Sequence, residues 1–212
     1  MKKKILLIGD SIREGYDSFV KEAFSDVADV FYPSENCRFA QYIVKTLADW
    51  KEGLNLDDDI DLIHWNAGLW DSLVLHDGKH LTDIKTYAEH IDRVCNMFKL
   101  LFPKAKIIFA TSTPIIERLF ADLQVKRYNS DIINYNKVAI EIVKKHGCEI
   151  NDLFQLLKDA PESYHSDRTH YYTKIAVEAI SKQVIVSIEN ALDIKAKDVN
   201  YTLLFNKKFI GM

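Results

Sequence analysis

Short apolar runs recur along the chain, and each is followed by polar residues or by a helical pattern. The first run, Ile5–Ile8, is continuous in Ile and Leu, which is typical of a strand buried on both faces. Four further runs have the same character and complete a set of five predicted strands: Val27–Tyr32, Ile60–Trp65, Ala105–Ala110 and Cys148–Ile150.

Apolar residues at helical spacing separate these runs. The first such stripe follows Ser11, with Thr82 predicted to cap a later long helix and Pro103 to end it. The predicted helices are residues 12–24, about Phe39–Trp50, 82–102, about Asn129–His146, Leu153–Leu157 and about Ala176–Ile188. Strands that alternate with helices predict an α/β fold, a three-layer sandwich with a five-stranded parallel sheet.

No linker, internal repeat or low-complexity tract interrupts the pattern, so we expect a single domain over residues 1–212. Residues 115–125 are predicted to be a loop or lid. The tail, residues 193–212, has no readable period. It is expected to pack on the body or on a second subunit, which leaves a homo-oligomer as one alternative.

Composition narrows the class of protein. The chain has 212 residues, of which 48% are hydrophobic, and a net charge of -3 with no basic face, which argues against nucleic acid as a partner. The apolar run after Met1–Lys4 ends at Ile8, too early for a signal peptide or a membrane span. Three cysteines without metal-like spacing fit a reducing compartment. We therefore expect a cytoplasmic protein that has no metal site and does not bind membranes.

The segment Gly9-Asp10-Ser11 lies where the first strand meets the first helix. Ligands bind at this edge of open α/β sheets, and the helix amino end favours developing negative charge. A serine hydroxyl there could be a nucleophile. Helix capping by Asp10 or Ser11 is the plainer alternative.

A nucleophilic serine needs a base oriented by a carboxylate. His170 follows Asp167 by three residues ahead of the last helix, and residues three apart at a helix start share one face. Alternatively, Asp167 is only a helix cap and His170 is an ordinary surface histidine. His165 is an alternative base, although its spacing to Asp167 is less suited.

These motifs, together with Asn66-Ala67-Gly68-Leu69-Trp70-Asp71 after the third strand, resemble the SGNH/GDSL hydrolases in order from Lys4 to about Ile188. The resemblance implies a flavodoxin-like sheet and a serine esterase or lipase that needs no cofactor. It implies Ser11 as the nucleophile, Asp167 as the orienting acid and His170 as the base. The oxyanion donors of the family are the serine N–H, a glycine N–H after the second strand and an asparagine side chain after the third.

The sequence departs from the family at two of these donors. Cys37 stands at the expected glycine, where a backbone N–H is still available. Trp70 stands at the asparagine place, and Asn66 is the nearest amide. We therefore expect an oxyanion hole made by Ser11, Cys37 and Asn66, with a turn-forming role as the alternative for Asn66.

Several other side chains are candidates for substrate binding. Trp65 and Trp70 could stack on a sugar, although Trp65 fits a buried core better. Arg13 and Arg38 could bind an acidic substrate, with solvated arginines as the alternative. Cys37 as the nucleophile would need a paired histidine, and the sequence shows none beside it.

The expected function is a serine esterase that acts on a small-molecule or carbohydrate ester, with a small acyl group on a carbohydrate-like alcohol as the first choice. The alternative is a non-enzymatic flavodoxin-like signalling or ligand-binding module. Asp10 and Thr111 would fit a phospho-acceptor receiver, whereas Asn66 and Asn151 would not. A flavin-binding protein would need a phosphate loop after the first strand, and the sequence has none there.

Overall fold

A computed structural model describes residues 2–211 of the chain. Its strands are all parallel and form one sheet in the order β2-β1-β3-β4-β5. They are β1 (Lys3–Ile8), β2 (Ala28–Phe31), β3 (Leu62–Trp65), β4 (Lys106–Ala110) and β5 (Glu149–Asn151). The predicted five-stranded parallel sheet is confirmed, with strand ends shifted by one or two residues.

The helices cover both faces of this sheet. They are α1 (Ser11–Phe24), α2 (Ala40–Gly53), α3 (Ile84–Leu101), α4 (Asn129–Lys145), α5 (Leu153–Leu157), α6 (Lys174–Leu192) and α7 (Tyr201–Phe205). The predicted cap of the third helix was wrong, because Asp83 accepts the N–H groups of Lys85 and Thr86, while Thr82 lies buried before it. The predicted loop at 115–125 contains a 3-10 turn, Glu117–Phe120.

Alternate residues of β1 supply two separate apolar cores. Ile5 and Leu7 face the layer of α1 and α6, whereas Leu6 and Ile8 face α2, α3 and α4. This division follows from the two-residue period of a strand. Trp65 belongs to the second core, as predicted, where its ring meets Phe98 edge-on with centroids 5.2 Å apart.

The tail packs on the body of the same chain. Tyr201 in α7 stacks on Phe19 with ring centroids 5.8 Å apart, and the Lys208 ammonium lies 2.6 Å from the Asp17 carboxylate. The tail contains the five-residue α7 and a π-helical turn, Asn206–Ile210. Elements this short leave no repeating apolar stripe in the sequence, and the helical turns of the tail could therefore not be predicted from it.

The strand register places two polar segments side by side. Ile8 at the end of β1 pairs with Trp65 at the end of β3. Gly9 and Asn66 follow these two residues directly, so both leave the sheet at its carboxyl edge. The Asn66 N–H donates to the Ile8 carbonyl at 3.0 Å, and this hydrogen bond holds the segments that begin at Gly9 and Asn66 next to each other.

Candidate active site

Ser11 lies at the junction of β1 and α1, and its hydroxyl does not cap the helix. The cap is Asp10, whose carboxylate accepts the Ile12 N–H at 2.9 Å. Ser11 Oγ lies 2.8 Å from Nε2 of His170, a residue 159 positions away in the chain. The structure therefore brings the two residues into direct contact.

The second ring nitrogen of His170 faces a carboxylate. Nδ1 lies 2.7 Å from Oδ2 of Asp167. Because an ionised carboxylate only accepts, Nδ1 carries the proton and Nε2 presents a lone pair to the Ser11 hydroxyl. This is the tautomer that can accept the serine proton.

A tight turn, rather than the start of a helix, holds Asp167 in place. Its Oδ1 accepts the N–H groups of Thr169 at 2.7 Å and His170 at 2.8 Å. The turn ends before α6 begins at Lys174, so the predicted helical spacing was wrong, although the pair does meet. Burial would raise the pKa of Asp167, but the bonds from His170 and the two N–H groups outweigh it and lower that pKa to about 2.

His165 does not take part in this arrangement. Its ring lies against Tyr171, with centroids 4.0 Å apart, and neither ring nitrogen has a hydrogen-bond partner within residues 2–211. The structure thus favours His170 over His165 as the partner of Ser11.

Asn66 packs directly against the turn that carries Ser11. A Cβ atom on residue 9 would lie 2.0 Å from the Asn66 amide oxygen, so only glycine leaves room for this side chain. Asn66 is almost fully buried. The glycine of Gly9-Asp10-Ser11 is thereby explained by a contact between two loops rather than by a positive φ.

The N–H of Cys37 is already engaged in a hydrogen bond. It donates to the Gly9 carbonyl at 3.0 Å, because the loop after β2 folds back across the end of β1. Cys37 therefore does not offer the free oxyanion donor that we expected. Burial raises the pKa of its thiol to about 11, which also argues against Cys37 as a nucleophile.

The loop after β3 is anchored by residues on either side of Trp70. Gly68 has φ +135°, and a Cβ there would lie 2.8 Å from Ser112 Oγ. Asp71 is fully buried and accepts the Ala40 N–H at 3.2 Å, and burial raises its pKa to about 6. Trp70 itself is half-buried in this turn.

The expected roles of the two arginines are not supported equally. Arg13 is only 1% exposed, pairs with Asp17 at 2.7 Å and donates to the Glu35 carbonyl, so it stabilises the fold and does not reach substrate. Arg38 is exposed and lies over the Tyr42 ring, 4.7 Å from its centroid. The substrate-binding prediction is thus contradicted for Arg13 and stays a prediction for Arg38.

Tyr172 contacts both members of the Ser11–His170 pair, although nothing in the sequence predicted this role. Its hydroxyl donates to the Ser11 carbonyl at 2.6 Å, and its ring stacks on the His170 imidazole with centroids 4.9 Å apart. Phe209 from the tail packs on the same ring at 5.3 Å. Its position two residues after His170 was the only signal that could have revealed it.

Arg127 is the second residue that was missed. Its Nε donates to the Leu69 carbonyl at 3.0 Å, and its Nη1 lies 3.4 Å from Thr169 Oγ1. The guanidinium therefore bridges the loop after β3 and the turn that carries His170. No sequence pattern marks it, because both of its partners come from distant loops.

The sequence matches no protein-family model and no curated protein. Solved structures do match. A lipase/acylhydrolase from Enterococcus faecalis has 19% identity and a TM-score of 0.71, covering 93% of this chain and 100% of that one. A GDSL-like lipase from Bacteroides thetaiotaomicron has 16% identity and a TM-score of 0.66 over 89% of each chain. An acetylxylan esterase from Geobacillus stearothermophilus has 15% identity and a TM-score of 0.62 over 91% and 95% of the two chains.

The chain therefore has the SGNH hydrolase fold, the fold of these GDSL-like lipases and acylhydrolases. Within residues 2–211, no helix has both the length and the apolar character needed to span a membrane. The same residues contain no group of three or more His, Cys, Asp or Glu side chains placed to hold a metal ion.

Proposed function

We propose that this protein is a serine esterase that hydrolyses carboxylic esters through an acyl-serine intermediate on Ser11. The observation that carries the proposal is the continuous chain from Ser11 Oγ through the His170 ring to the Asp167 carboxylate, with distances of 2.8 and 2.7 Å. Nucleophile, base and orienting acid stand in the order that acyl transfer needs.

In the proposed reaction, His170 Nε2 takes the hydroxyl proton as Ser11 Oγ attacks the ester carbonyl. The low pKa of Asp167 keeps its carboxylate ionised, so that it stabilises the imidazolium. The imidazolium then gives its proton to the departing alcohol oxygen. In the second half, His170 deprotonates a water molecule, whose oxygen attacks the acyl carbon. The bond to Ser11 Oγ then breaks, Ser11 takes back the proton from His170, and the carboxylic acid is released.

The oxyanion of each tetrahedral intermediate needs donors. We assign this role to the Ser11 N–H, at the amino end of α1, and to the Asn66 side chain, which packs against Gly9 in the same turn. The positive end of the helix dipole adds to their effect. Replacement of Asn66 by Ala should lower kcat by about 10²- to 10³-fold.

For the substrate, we propose a small acyl group on a carbohydrate-like alcohol. The acetylxylan esterase that shares this fold supports a small ester. The half-buried Trp70, in the loop after β3 that also contains Asn66, offers a ring for stacking. We also propose that the enzyme acts in the cytoplasm, which is supported by three unpaired cysteines, Cys37, Cys95 and Cys148.

The test is hydrolysis of p-nitrophenyl acetate, butyrate and octanoate by the wild type and by Ser11→Ala, with folding checked by circular dichroism. We expect turnover of the short esters that Ser11→Ala abolishes. A fluorophosphonate should label the wild type at Ser11 alone, as located by mass spectrometry. Labelling elsewhere, or turnover retained by Ser11→Ala, would contradict the mechanism. If the wild type shows no turnover and takes no label, the non-enzymatic alternative is favoured.

A further inference from the structure

Two arginines stand together beside the Ser11–His170 pair. Arg127 comes from the segment before α4, and Arg168 lies between Asp167 and Thr169 in the turn that carries His170. Both guanidinium groups lie over the ring of Phe120, at 5.9 and 5.3 Å from its centroid. Both positive charges therefore lie against one aromatic side chain, next to the turn that carries His170.

Neither charge is matched by a direct ion pair. Among residues 2–211, no carboxylate oxygen lies within 4.0 Å of either guanidinium. Arg127 uses Nε and Nη1 for its bonds to Leu69 and Thr169, and its Nη2 has no hydrogen-bond partner among the same residues. Arg168 is exposed, and its side chain makes no hydrogen bond within them. Donors thus remain free on both groups.

The positive charge of Arg127 is only partly balanced by nearby carboxylates. Burial lowers its pKa, and the nearby Arg168 lowers it further, while Asp10 and Asp167 only partly offset these effects. Asp10 caps α1 through one of its carboxylate oxygens, and Asp167 is hydrogen-bonded to His170. Two positive charges beside the same ring repel each other, and a bound anion would offset this repulsion.

We propose that Arg127 and Arg168 form a subsite for a carboxylate on the substrate, so that the preferred ester is one of an acidic molecule. This inference rests on the proposed esterase function and specifies its substrate class. The planar guanidinium suits a carboxylate because it can donate two parallel hydrogen bonds. An acetylated carbohydrate that also carries a carboxylate would satisfy both this subsite and Trp70.

A purely structural role for Arg127 makes a different prediction. If the guanidinium only ties the Leu69 carbonyl to Thr169, its loss should loosen the site for every ester alike. A carboxylate subsite instead predicts a loss confined to charged esters. The ratio of kcat/KM between a charged ester and its neutral counterpart separates the two roles.

The experiment uses two matched pairs of esters, because the carboxylate could lie on either side of the ester bond. On the alcohol side, 4-acetoxybenzoate is compared with its methyl ester. On the acyl side, p-nitrophenyl hydrogen glutarate is compared with p-nitrophenyl butyrate. Each kcat/KM is divided by the rate constant for hydroxide hydrolysis of the same ester, which removes differences in intrinsic reactivity.

We expect the wild type to prefer the charged member of at least one pair by about 10- to 100-fold, the range for hydrogen bonds to a charged group. Arg127→Gln and Arg168→Gln should each remove most of that preference, mainly through KM, and sodium chloride should weaken it in the wild type. Arg127→Lys, which keeps the charge and loses the planar fork, should be intermediate. The control is Arg118→Gln, because Arg118 is exposed and pairs with Glu162, and this change should leave the preference intact.

Equal turnover of both members of both pairs would overturn the subsite while leaving the esterase intact. Equal losses on charged and neutral esters in Arg127→Gln would also overturn it and would assign the residue to loop positioning. If Arg127→Gln fails to fold, the exposed Arg168 and the salt dependence of the wild type still decide the matter. Absence of all ester turnover and of Ser11 labelling would instead overturn the proposed function, and the subsite with it.

Discussion

Protonation of His64 should govern the acid sensitivity of the fold. His64 lies fully buried on β3, with Nε2 at 3.0 Å from the Asn151 side-chain nitrogen and Nδ1 at 3.3 Å from the Tyr16 hydroxyl. Gln183 donates to the Asn151 oxygen at 3.1 Å, which orients the amide so that its NH2 group faces the ring. Nε2 must therefore present a lone pair, and His64 is neutral in the folded protein.

The size of the effect follows from the pKa. Burial lowers the pKa of His64 from 6.5 to about 3. Between pH 6.5 and pH 3, His64 is protonated in the unfolded chain but neutral in the folded protein. The contribution of neutral His64 to the free energy of unfolding is therefore fully present above pH 6.5 and is lost as the pH falls towards 3. One pKa unit corresponds to roughly 1.4 kcal/mol, and the loss from this residue by pH 4 is therefore about 3 kcal/mol.

The assay is urea unfolding at pH 7.5 and pH 4.0, followed by circular dichroism, for the wild type and His64→Gln. Other groups also titrate in this range, so the quantity of interest is the difference in unfolding free energy between the two proteins. That difference should shift by about 3 kcal/mol in favour of His64→Gln on going to pH 4.0. The matched control is His76→Gln, at an exposed loop histidine. A difference that stays constant with pH would refute the neutral, buried His64 and the orientation of Asn151.

Three further predictions concern the site itself. Asp167→Asn should lower kcat, but by less than His170→Ala, when both are assayed on p-nitrophenyl acetate, because the acid orients the base and does not accept the proton. An effect of Asp167→Asn as large as that of His170→Ala would count against this. Tyr172→Phe removes the hydrogen bond to the Ser11 carbonyl but keeps the stacked ring, so kcat should fall about 3- to 10-fold with KM unchanged; a change in KM alone would contradict a positioning role. Gly9→Ala should nearly abolish turnover in a protein that still folds by circular dichroism, because the new methyl group would displace Asn66; near-normal kcat would show that Asn66 is dispensable.

The order of elements and the place of Ser11 could be predicted from the sequence. Continuous apolar runs are typical of strands buried on both faces, and a change of period after Ser11 marks the start of a helix. Both signals are local, since each depends on residues a few positions apart. They were enough to predict the parallel sheet and to put Gly9-Asp10-Ser11 at its carboxyl edge.

The spacing of Asp167 and His170 predicted their contact but not the structure that creates it. The pair meets in a turn closed by the N–H groups of Thr169 and His170, and not on a helix face. A carboxylate that accepts nearby backbone N–H groups favours such a turn over a helix. Three-residue spacing alone does not distinguish the two structures.

Only the tertiary structure decided how the remaining polar groups are used. Cys37 donates its N–H to Gly9, Arg13 is buried against Asp17, and Arg127 joins two loops that are remote in sequence. Such contacts depend on how loops fold across the sheet edge, and apolar periodicity carries no information about loops. A residue's type shows which hydrogen bonds it can make, whereas its partner is chosen by the packing of the whole chain.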